Sequence, residues 1–118
     1  MLSDIKTTEW LLINWGRWAH VNRGAGLGFP SIEPYERMRA PQSAGPQISD
    51  DEAMVIDRAV AELLAAKPRE GEALARYYLY RPTYRELGRQ LCKHHAVVAQ
   101  YVDSGKSWVD GWIVGQIE

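Results

Sequence analysis

The sequence Arg81-Pro-Thr-Tyr-Arg-Glu-Leu-Gly-Arg-Gln-Leu91 combines a helix boundary with the start of a new helix. Pro82 disfavours the helical region for Arg81, so a preceding helix is expected to end there. Thr83 and Glu86 have the spacing of a capping box, in which the threonine oxygen accepts the Glu86 N–H and the glutamate reaches back to the Thr83 N–H. The pattern therefore predicts a short helix that begins at Thr83.

Apolar spacing predicts a turn after this helix and a longer helix beyond it. The short helix carries Leu87 and Leu91, and Cys92-Lys93-His94 then leaves room for a turn of about three residues. The next apolar residues are Val98, Tyr101, Val102, Trp108, Trp112 and Ile113. This order is typical of a helix-turn-helix, whose second helix enters the major groove of DNA. We place the motif at residues 83 to 115, with an extended C-terminal helix and with Gly88 where crossing helices need a small residue.

Positive charge is concentrated in the same segment. The whole chain is nearly neutral, with 14 Lys and Arg against 15 Asp and Glu. Four of these cations lie between Arg81 and Lys93, where the one acid is Glu86. Arg85 and Arg89 are four residues apart, so they share a helix face and could contact phosphates. The residues left facing outward on the second helix are His95, Ala96, Ala99, Gln100 and Asp103.

A first helix is predicted over about residues 7 to 20. Its aromatic and apolar side recurs at spacings of three and four, at Trp10, Leu11, Asn14, Trp15 and Trp18. Thr7 or Thr8 can cap its start. Three tryptophans in one helix are a heavy aromatic load, which we interpret as core packing rather than as a platform for a ligand or partner.

Two more helices are predicted between residues 49 and 80. Ser49-Asp-Asp-Glu52 is a second capping box, and its acids also complement the helix dipole. This helix should end at Lys67-Pro68, and the next covers about residues 70 to 80. We expect the first two helices to pack under the helix-turn-helix through Trp15, Trp18, Ile56 and Val60.

Residues 21 to 47 are predicted to form an irregular loop. Their apolar residues show no helix or strand periodicity, and glycine and proline recur through the segment. Arg23, Arg37 and Arg39 lie in it. The loop is either a partner-contacting arm or a passive connector, and a short helix around residues 32 to 38 fits its sequence.

The chain as a whole is expected to be a single all-α domain, residues 1–118, of about five helices. Its single cysteine, Cys92, cannot pair within the chain, which favours a reducing compartment. No apolar stretch reaches the ~20 residues of a membrane span, and the first residues lack the pattern of a signal peptide. We therefore expect a cytoplasmic protein with no membrane partner.

Catalytic and metal-binding functions are disfavoured by the residues present. Cys92, His94 and His95 are neighbours, but a tetrahedral zinc site usually needs four ligands, and the other histidine is His20. No carboxylate at a suggestive spacing would orient a histidine beside a nucleophilic cysteine. We expect no enzyme activity, no metal and no cofactor.

Three separated motifs follow one another along the chain. They are Trp10-Leu-Leu-Ile-Asn-Trp-Gly-Arg-Trp18, then Ile48-Ser-Asp-Asp-Glu-Ala-Met54, then Tyr77-Tyr78 ahead of the helix-turn-helix. In this order, and over most of the chain, they resemble the antitermination Q proteins of lambdoid phages. Residues 81 to 91 are also similar to the opening of the helix-turn-helix in region 4 of bacterial sigma factors.

This resemblance implies a regulator of phage late transcription. Q proteins bind DNA at or next to a late promoter, engage RNA polymerase paused with its sigma factor, and make the elongating enzyme resistant to pauses and terminators. The implied partners are double-stranded DNA, bacterial RNA polymerase and sigma factor in the host cytoplasm, and more than one copy could bind per complex. The implied DNA-binding residues are Arg81, Thr83, Arg85, Arg89, Lys93, His94, His95, Ala96 and Gln100.

The turn departs from the usual helix-turn-helix pattern at three positions. Glycine usually stands where this chain has Cys92, and an apolar residue stands where it has Lys93. His94 takes the place of the usual Ser or Thr cap of the second helix. These residues leave the geometry of the turn open.

Two other functions fit the residues. A promoter-bound repressor or activator would use the same helix-turn-helix without travelling with polymerase. A protein-binding adaptor would instead present Trp108 and Trp112, four residues apart, as a partner face, although core packing is the favoured interpretation of these two side chains.

Overall fold

Five helices make up most of the chain described by the computed structural model, which covers residues 7–23 and 47–117. They are α1 (Thr8–Arg23), α2 (Asp50–Ala66), α3 (Pro68–Tyr80), α4 (Tyr84–Leu91) and α5 (His95–Ile117). No strand occurs in these ranges, and the prediction of an all-α protein of about five helices is confirmed. The predicted loop lies outside the described residues except at its two ends, as do Arg37, Arg39 and the short helix expected at residues 32 to 38.

Both predicted capping boxes are present at the helix starts. The Glu52 N–H donates to Ser49 Oγ over 3.1 Å, and the Ser49 N–H donates to Glu52 Oε1 over 3.4 Å. At α4, the Glu86 N–H donates to Thr83 Oγ1 over 3.1 Å, and the Thr83 N–H donates to Glu86 Oε1 over 2.8 Å. Thr7 caps α1, because its Oγ1 accepts the Trp10 N–H over 3.0 Å. These bonds satisfy amide groups that have no partner inside the helix.

Two helix ends differ from the predicted bounds by a few residues. α1 continues three residues past the predicted end, to Arg23. α3 begins at Pro68, two residues earlier than expected, because proline is tolerated in the first turn of a helix, where its missing N–H is not needed. The proline that ends α2 therefore also begins α3.

Two residues in the left-handed region redirect the chain around α4. Arg81 has φ 54° and Cys92 has φ 57°, and they are the non-glycine residues with positive φ in the described ranges. Arg81 leaves the right-handed helical region before Pro82, as the sequence predicts, but it adopts a left-handed rather than an extended conformation. Each residue ends the helix that precedes it, which makes α4 a separate short element.

Helix α3 is the centre of the bundle, because it contacts all four other helices. Trp15, Trp18, Ile56 and Val60 are buried, as expected for residues that join α1 and α2 to the core. Both helices contact α5 as well as α3, but the main contacts of α4 are with α3 and α5. Helices α1 and α2 thus contact the predicted helix-turn-helix through its long helix α5, and α3 contacts both of its helices.

The crossing of α1 and α3 is close enough to require a glycine. A Cβ atom added at Gly16 would lie 2.1 Å from the carbonyl oxygen of Tyr78, which belongs to the α3 backbone. Two helices can approach this closely only where one of them lacks a side chain at the contact. Gly16 therefore sets the spacing of the two helices.

Tryptophans from α1 and α5 attach both helices to α2. The indole N–H of Trp15 donates to Asp57 Oδ1 over 3.2 Å, and that of Trp18 donates to Asp50 Oδ1 over 3.0 Å. From α5, the Trp112 N–H donates to Glu62 Oε1 over 3.0 Å. Trp10, Trp108 and Trp112 are partly buried and pack against the core. The tryptophans are thus part of the bundle's packing, as the sequence favours.

None of the helices in the described ranges has the length and apolar character needed to cross a membrane.

Candidate nucleic-acid interface

The chain forms a helical hairpin from α4, the residues 92–94 and α5. The Lys93 N–H donates to the Gly88 carbonyl over 2.8 Å, so the connecting turn closes back onto the middle of α4. A Cβ atom at Gly88 would lie 2.6 Å from the carbonyl oxygen of Lys93. Gly88 therefore permits the close approach that the sequence predicts at this position, and alanine would displace the turn. That this hairpin is a DNA-binding helix-turn-helix remains a prediction.

His94 serves as the cap of α5. Its Nδ1 accepts the Ala96 N–H over 3.1 Å, and its carbonyl oxygen accepts the Val97 and Val98 N–H groups over 3.0 and 3.1 Å. Cys92, where glycine is usual, adopts the left-handed conformation that favours glycine. Cys92 and His94 thus take the structural roles of the usual glycine and cap, whereas Lys93, in place of an apolar residue, is exposed.

Five exposed or partly exposed residues with positive or ionisable side chains lie on this turn and the adjoining helix ends. The rings of His94 and His95 stack with their centroids 4.2 Å apart. Partial burial lowers the pKa of His95 below its ordinary value of 6.5, and the nearby charges of His94 and Arg85 lower it further. Arg85 and Arg89 on α4 are exposed, and so is Lys93 in the turn. We call the surface formed by Arg85, Arg89, Lys93, His94 and His95 the basic turn.

An exposed stripe of α5 continues from the basic turn. Ala96, Gln100 and Asp103 are exposed and recur at spacings of four and three, which places them on one side of the helix. His95 and Ala99, which the sequence predicts to face outward, are half-buried. The first turns of α5 therefore present a narrower outward face than expected.

Arg81 and Thr83, which precede α4, make contacts that stabilise the fold. The guanidinium carbon of Arg81 lies 4.7 Å from the centroid of the Tyr77 ring and 5.3 Å from that of Tyr78. The Arg81 side chain is half-buried against these rings, and its Nη1 is buried. The Thr83 hydroxyl oxygen is used as the cap of α4. The structure thus gives both residues a structural role, and no observation tests their predicted contact with DNA.

The start of α4 has an aromatic and acidic environment. The rings of Tyr77 and Tyr84 stack with their centroids 5.0 Å apart. Burial raises the pKa of Tyr84 to about 12, helped by its hydrogen bond to Tyr77 and by the negative charges of Asp103 and Glu9. The two sides of the short helix therefore differ in charge, because Arg85 lies near His95 and Tyr84 lies near the acidic residues Asp103 and Glu9.

A buried arginine, whose burial does not follow from the sequence pattern, holds α4 in place. Arg76 is 1% exposed, and its Nη2 lies 3.0 Å from Glu72 Oε2. Its Nη1 donates to Gln90 Oε1 on α4 over 3.2 Å. The spacing of Glu72 and Arg76 predicts an ion pair on a helix, but the spacing alone gives no indication that the arginine is buried.

No three histidine, cysteine, aspartate or glutamate side chains in residues 7–23 and 47–117 are arranged to hold a metal ion. Cys92 and His94 lie in the turn and His95 begins α5, but His20 belongs to the contact between α1 and α3. Its Nε2 lies 2.5 Å from the Leu79 carbonyl oxygen, and its ring meets that of Tyr80 edge-on.

The amino-acid sequence matches the model of a known protein family. The family model described as phage antitermination protein Q matches residues 4–116, which is nearly the whole chain and includes the basic turn. No significant match was found among curated proteins or among solved structures.

Proposed function

This chain belongs to the phage antitermination protein Q family, and we propose that it is an antitermination factor that binds DNA next to a phage late promoter. In this proposal the DNA-bound protein loads onto RNA polymerase paused with its sigma factor, in the cytoplasm of the bacterial host. It then suppresses pausing and termination as the polymerase elongates. It acts through binding and not as an enzyme, and it needs no metal or cofactor.

The basic turn is the observation that supports DNA binding. It places the exposed side chains of Arg85, Arg89 and Lys93 on α4 and the turn after it, in a chain whose overall charge is nearly neutral. Cations in this arrangement release counterions from DNA when they contact its phosphates, and this release supplies most of the sequence-independent affinity. We assign these three side chains to phosphate contacts.

The first turns of α5 are assigned to base contacts. The exposed Gln100 side chain can donate to and accept from the edge of an adenine, and the Ala96 methyl group can contact a thymine methyl. His94 and His95 lie at the start of the same helix and supply ring N–H donors. The cap function of His94 Nδ1 leaves its other ring nitrogen as the group that could reach DNA.

The proposal is tested by transcription in vitro through a strong terminator, from the cognate late promoter, with purified bacterial RNA polymerase and sigma factor. We expect the protein to increase full-length readthrough without changing the number of initiation events. The double variant Arg85→Ala, Arg89→Ala should lose this effect because it removes two phosphate contacts. Arg69→Ala is the matched control, since Arg69 is an exposed arginine in the first turn of α3, at the opposite end of that helix from α4.

Two results would replace the proposal with another function. Altered initiation with unchanged readthrough would identify a promoter-bound repressor or activator that uses the same hairpin. No effect on either step, together with no DNA binding, would favour a protein-binding adaptor.

A further inference from the structure

The exposed stripe of α5 changes its electrostatic character along its length. It begins beside the cations of the basic turn and passes through the uncharged Ala96 and Gln100. The first charged residue on the stripe is Asp103, and the next is Asp110. The cation Lys106 lies between them but is half-buried, with its Nζ 3.4 Å from Glu9 Oε1. The outward face of α5 is therefore acidic beyond its second turn.

Asp103 is an exposed acidic residue in the third turn of α5. It makes no ion pair with any residue in the described ranges 7–23 and 47–117. Its charge is one of the causes that raise the pKa of Tyr84, so the carboxylate lies near the Tyr84 hydroxyl. The carboxylate thus faces solvent on the same side of α5 as Gln100.

The position of Asp103 matches the scale of a DNA groove. Seven residues separate it from Ala96, which corresponds to about 10 Å along a helix at 1.5 Å per residue. The major groove is about 12 Å wide and is bordered on both sides by phosphates. When the start of α5 faces the bases, Asp103 therefore lies near the edge of the groove, where it would repel a phosphate.

We propose that Asp103 is a specificity-determining residue that excludes docking orientations in which α5 follows the DNA backbone. This inference rests on the proposed binding of DNA by the basic turn. Sequence-independent complexes gain most of their affinity from phosphates and adopt whichever orientation brings cations closest to them. Repulsion at Asp103 penalises orientations that bring the third turn of α5 against a strand. The orientation that remains is the one in which Ala96 and Gln100 face the base edges, so the acid favours sequence-dependent binding.

The test compares Asp103→Asn with the unchanged protein on two probes, a random-sequence 30-base-pair duplex and a library of random duplexes used for site selection. Asparagine keeps the shape of the side chain and removes its charge. We expect Asp103→Asn to bind the random duplex about fivefold more tightly, the effect of one unit-charge repulsion removed at contact distance in water. The salt dependence of binding should become steeper, and the sequences selected from the library should become less uniform.

Asp110→Asn is the matched control. It makes the same change of charge on the same exposed stripe, seven residues further along α5, and asparagine can still accept the hydrogen bond that the Thr8 hydroxyl donates to Asp110. We expect it to leave both measurements unchanged, because this position lies beyond the groove. Equal melting temperatures of the two variants will show that neither result reflects unfolding.

Three results would overturn the inference. The first is an Asp103→Asn variant that matches the unchanged protein or Asp110→Asn on both probes. The second is unchanged binding of the random duplex with loss of one selected G·C pair, which would make Asp103 a direct acceptor for cytosine. The third is the absence of any DNA binding by the unchanged protein, which would overturn the proposed function together with the inference.

Discussion

Helices α2 and α4 begin with the same local structure and are held in place in different ways. Each starts at a capping box, Ser49 with Glu52 and Thr83 with Glu86. The 17 residues of α2 bury six side chains and accept hydrogen bonds from tryptophans of α1 and α5. The eight residues of α4 bury one side chain, that of Leu87, together with Gly88, and a buried arginine of α3 donates to Gln90 of this helix. The same start thus serves an element of the core in one case and an exposed basic surface in the other.

This difference implies that stability depends mainly on the core around α2 and α3, whereas DNA binding depends on the surface of α4. The core around α2 and α3 can tolerate few changes because its helices are in close contact. The basic turn can change its side chains without disturbing that core, provided that α4 stays attached to α3. Variants in the two regions should therefore lose different properties, and the following predictions test this in order of expected size.

The largest loss of stability is expected from Gly16→Ala, in the core. The new methyl group would meet the Tyr78 carbonyl oxygen at 2.1 Å, and the α3 backbone can yield only by separating the two helices. We expect the free energy of unfolding to fall by about 3 kcal/mol, measured by urea denaturation. Gly111→Ala is the control, because a Cβ atom there has nothing within 4 Å, and it should raise stability slightly. A Gly16→Ala variant as stable as its parent would show that the helices do not cross this closely.

The next effect is expected from Arg76→Met, which cuts the link between α3 and α4. Methionine keeps much of the apolar contact but removes the bonds to Glu72 and Gln90. We expect a loss of about 2 kcal/mol in the free energy of unfolding, less than for a fully buried pair because Glu72 is partly exposed. Affinity for a random DNA duplex should fall as well, since α4 loses its fixed position. Lower stability with unchanged DNA affinity would show that the basic turn does not need the link through Arg76 to bind DNA.

The two capping boxes allow a direct comparison of the two helices. Ser49→Ala and Thr83→Ala each remove the side-chain acceptor of one amide, which costs about 1 kcal/mol. Urea denaturation should show similar losses for both variants. Only Thr83→Ala should also weaken DNA binding, because it loosens the helix that carries Arg85. Equal DNA affinity of the two variants would contradict the assignment of α4 to the interface.

Single arginine substitutions on the basic turn should weaken DNA binding. Arg85→Ala and Arg89→Ala should each weaken DNA binding a few-fold for all sequences and reduce the magnitude of the salt slope by about 0.9. Fluorescence anisotropy at several salt concentrations measures both quantities. Arg69→Ala, on α3, should alter neither. If Arg85→Ala kept the salt slope of its parent, the phosphate-binding face would have to lie elsewhere.

The smallest effect is a pH dependence that has opposite signs for folding and for binding. The folded protein lowers the pKa of His95, so the unfolded chain takes up a proton more readily, and stability should fall as pH drops below 6.5. DNA favours the charged form of the same ring, so affinity should rise over this interval. Denaturation and binding measured at pH 7.5 and pH 5.5, for the parent and for His95→Gln, isolate the contribution of this group. Identical pH profiles of the two proteins would exclude His95 from both effects.

Much of the secondary structure could be predicted because it depends on short-range interactions. A capping box joins residues three apart, so the starts of α2 and α4 follow from Ser49, Thr83 and their glutamates. Pro82 indicates the end of α3 for the same reason. The candidate DNA-binding residues were predicted with less detail, since charge and spacing identify Arg85 and Arg89 but cannot tell that Arg81 lies against two tyrosines.

The sequence by itself determines that this chain is helical, where several of its helices begin, and that positive charge gathers between Arg81 and Lys93. Only the tertiary structure decides that α3 is central, that Arg76 is buried and that His95 is half-covered. The physical reason is the range of the interactions involved. Capping bonds and helix periodicity act within about four residues, whereas burial depends on which helices cross and how closely. The sequence therefore predicts Ala96, Gln100 and Asp103 on the outward face of α5, whereas the partial burial of His95 and Ala99 is decided by the packing of the bundle.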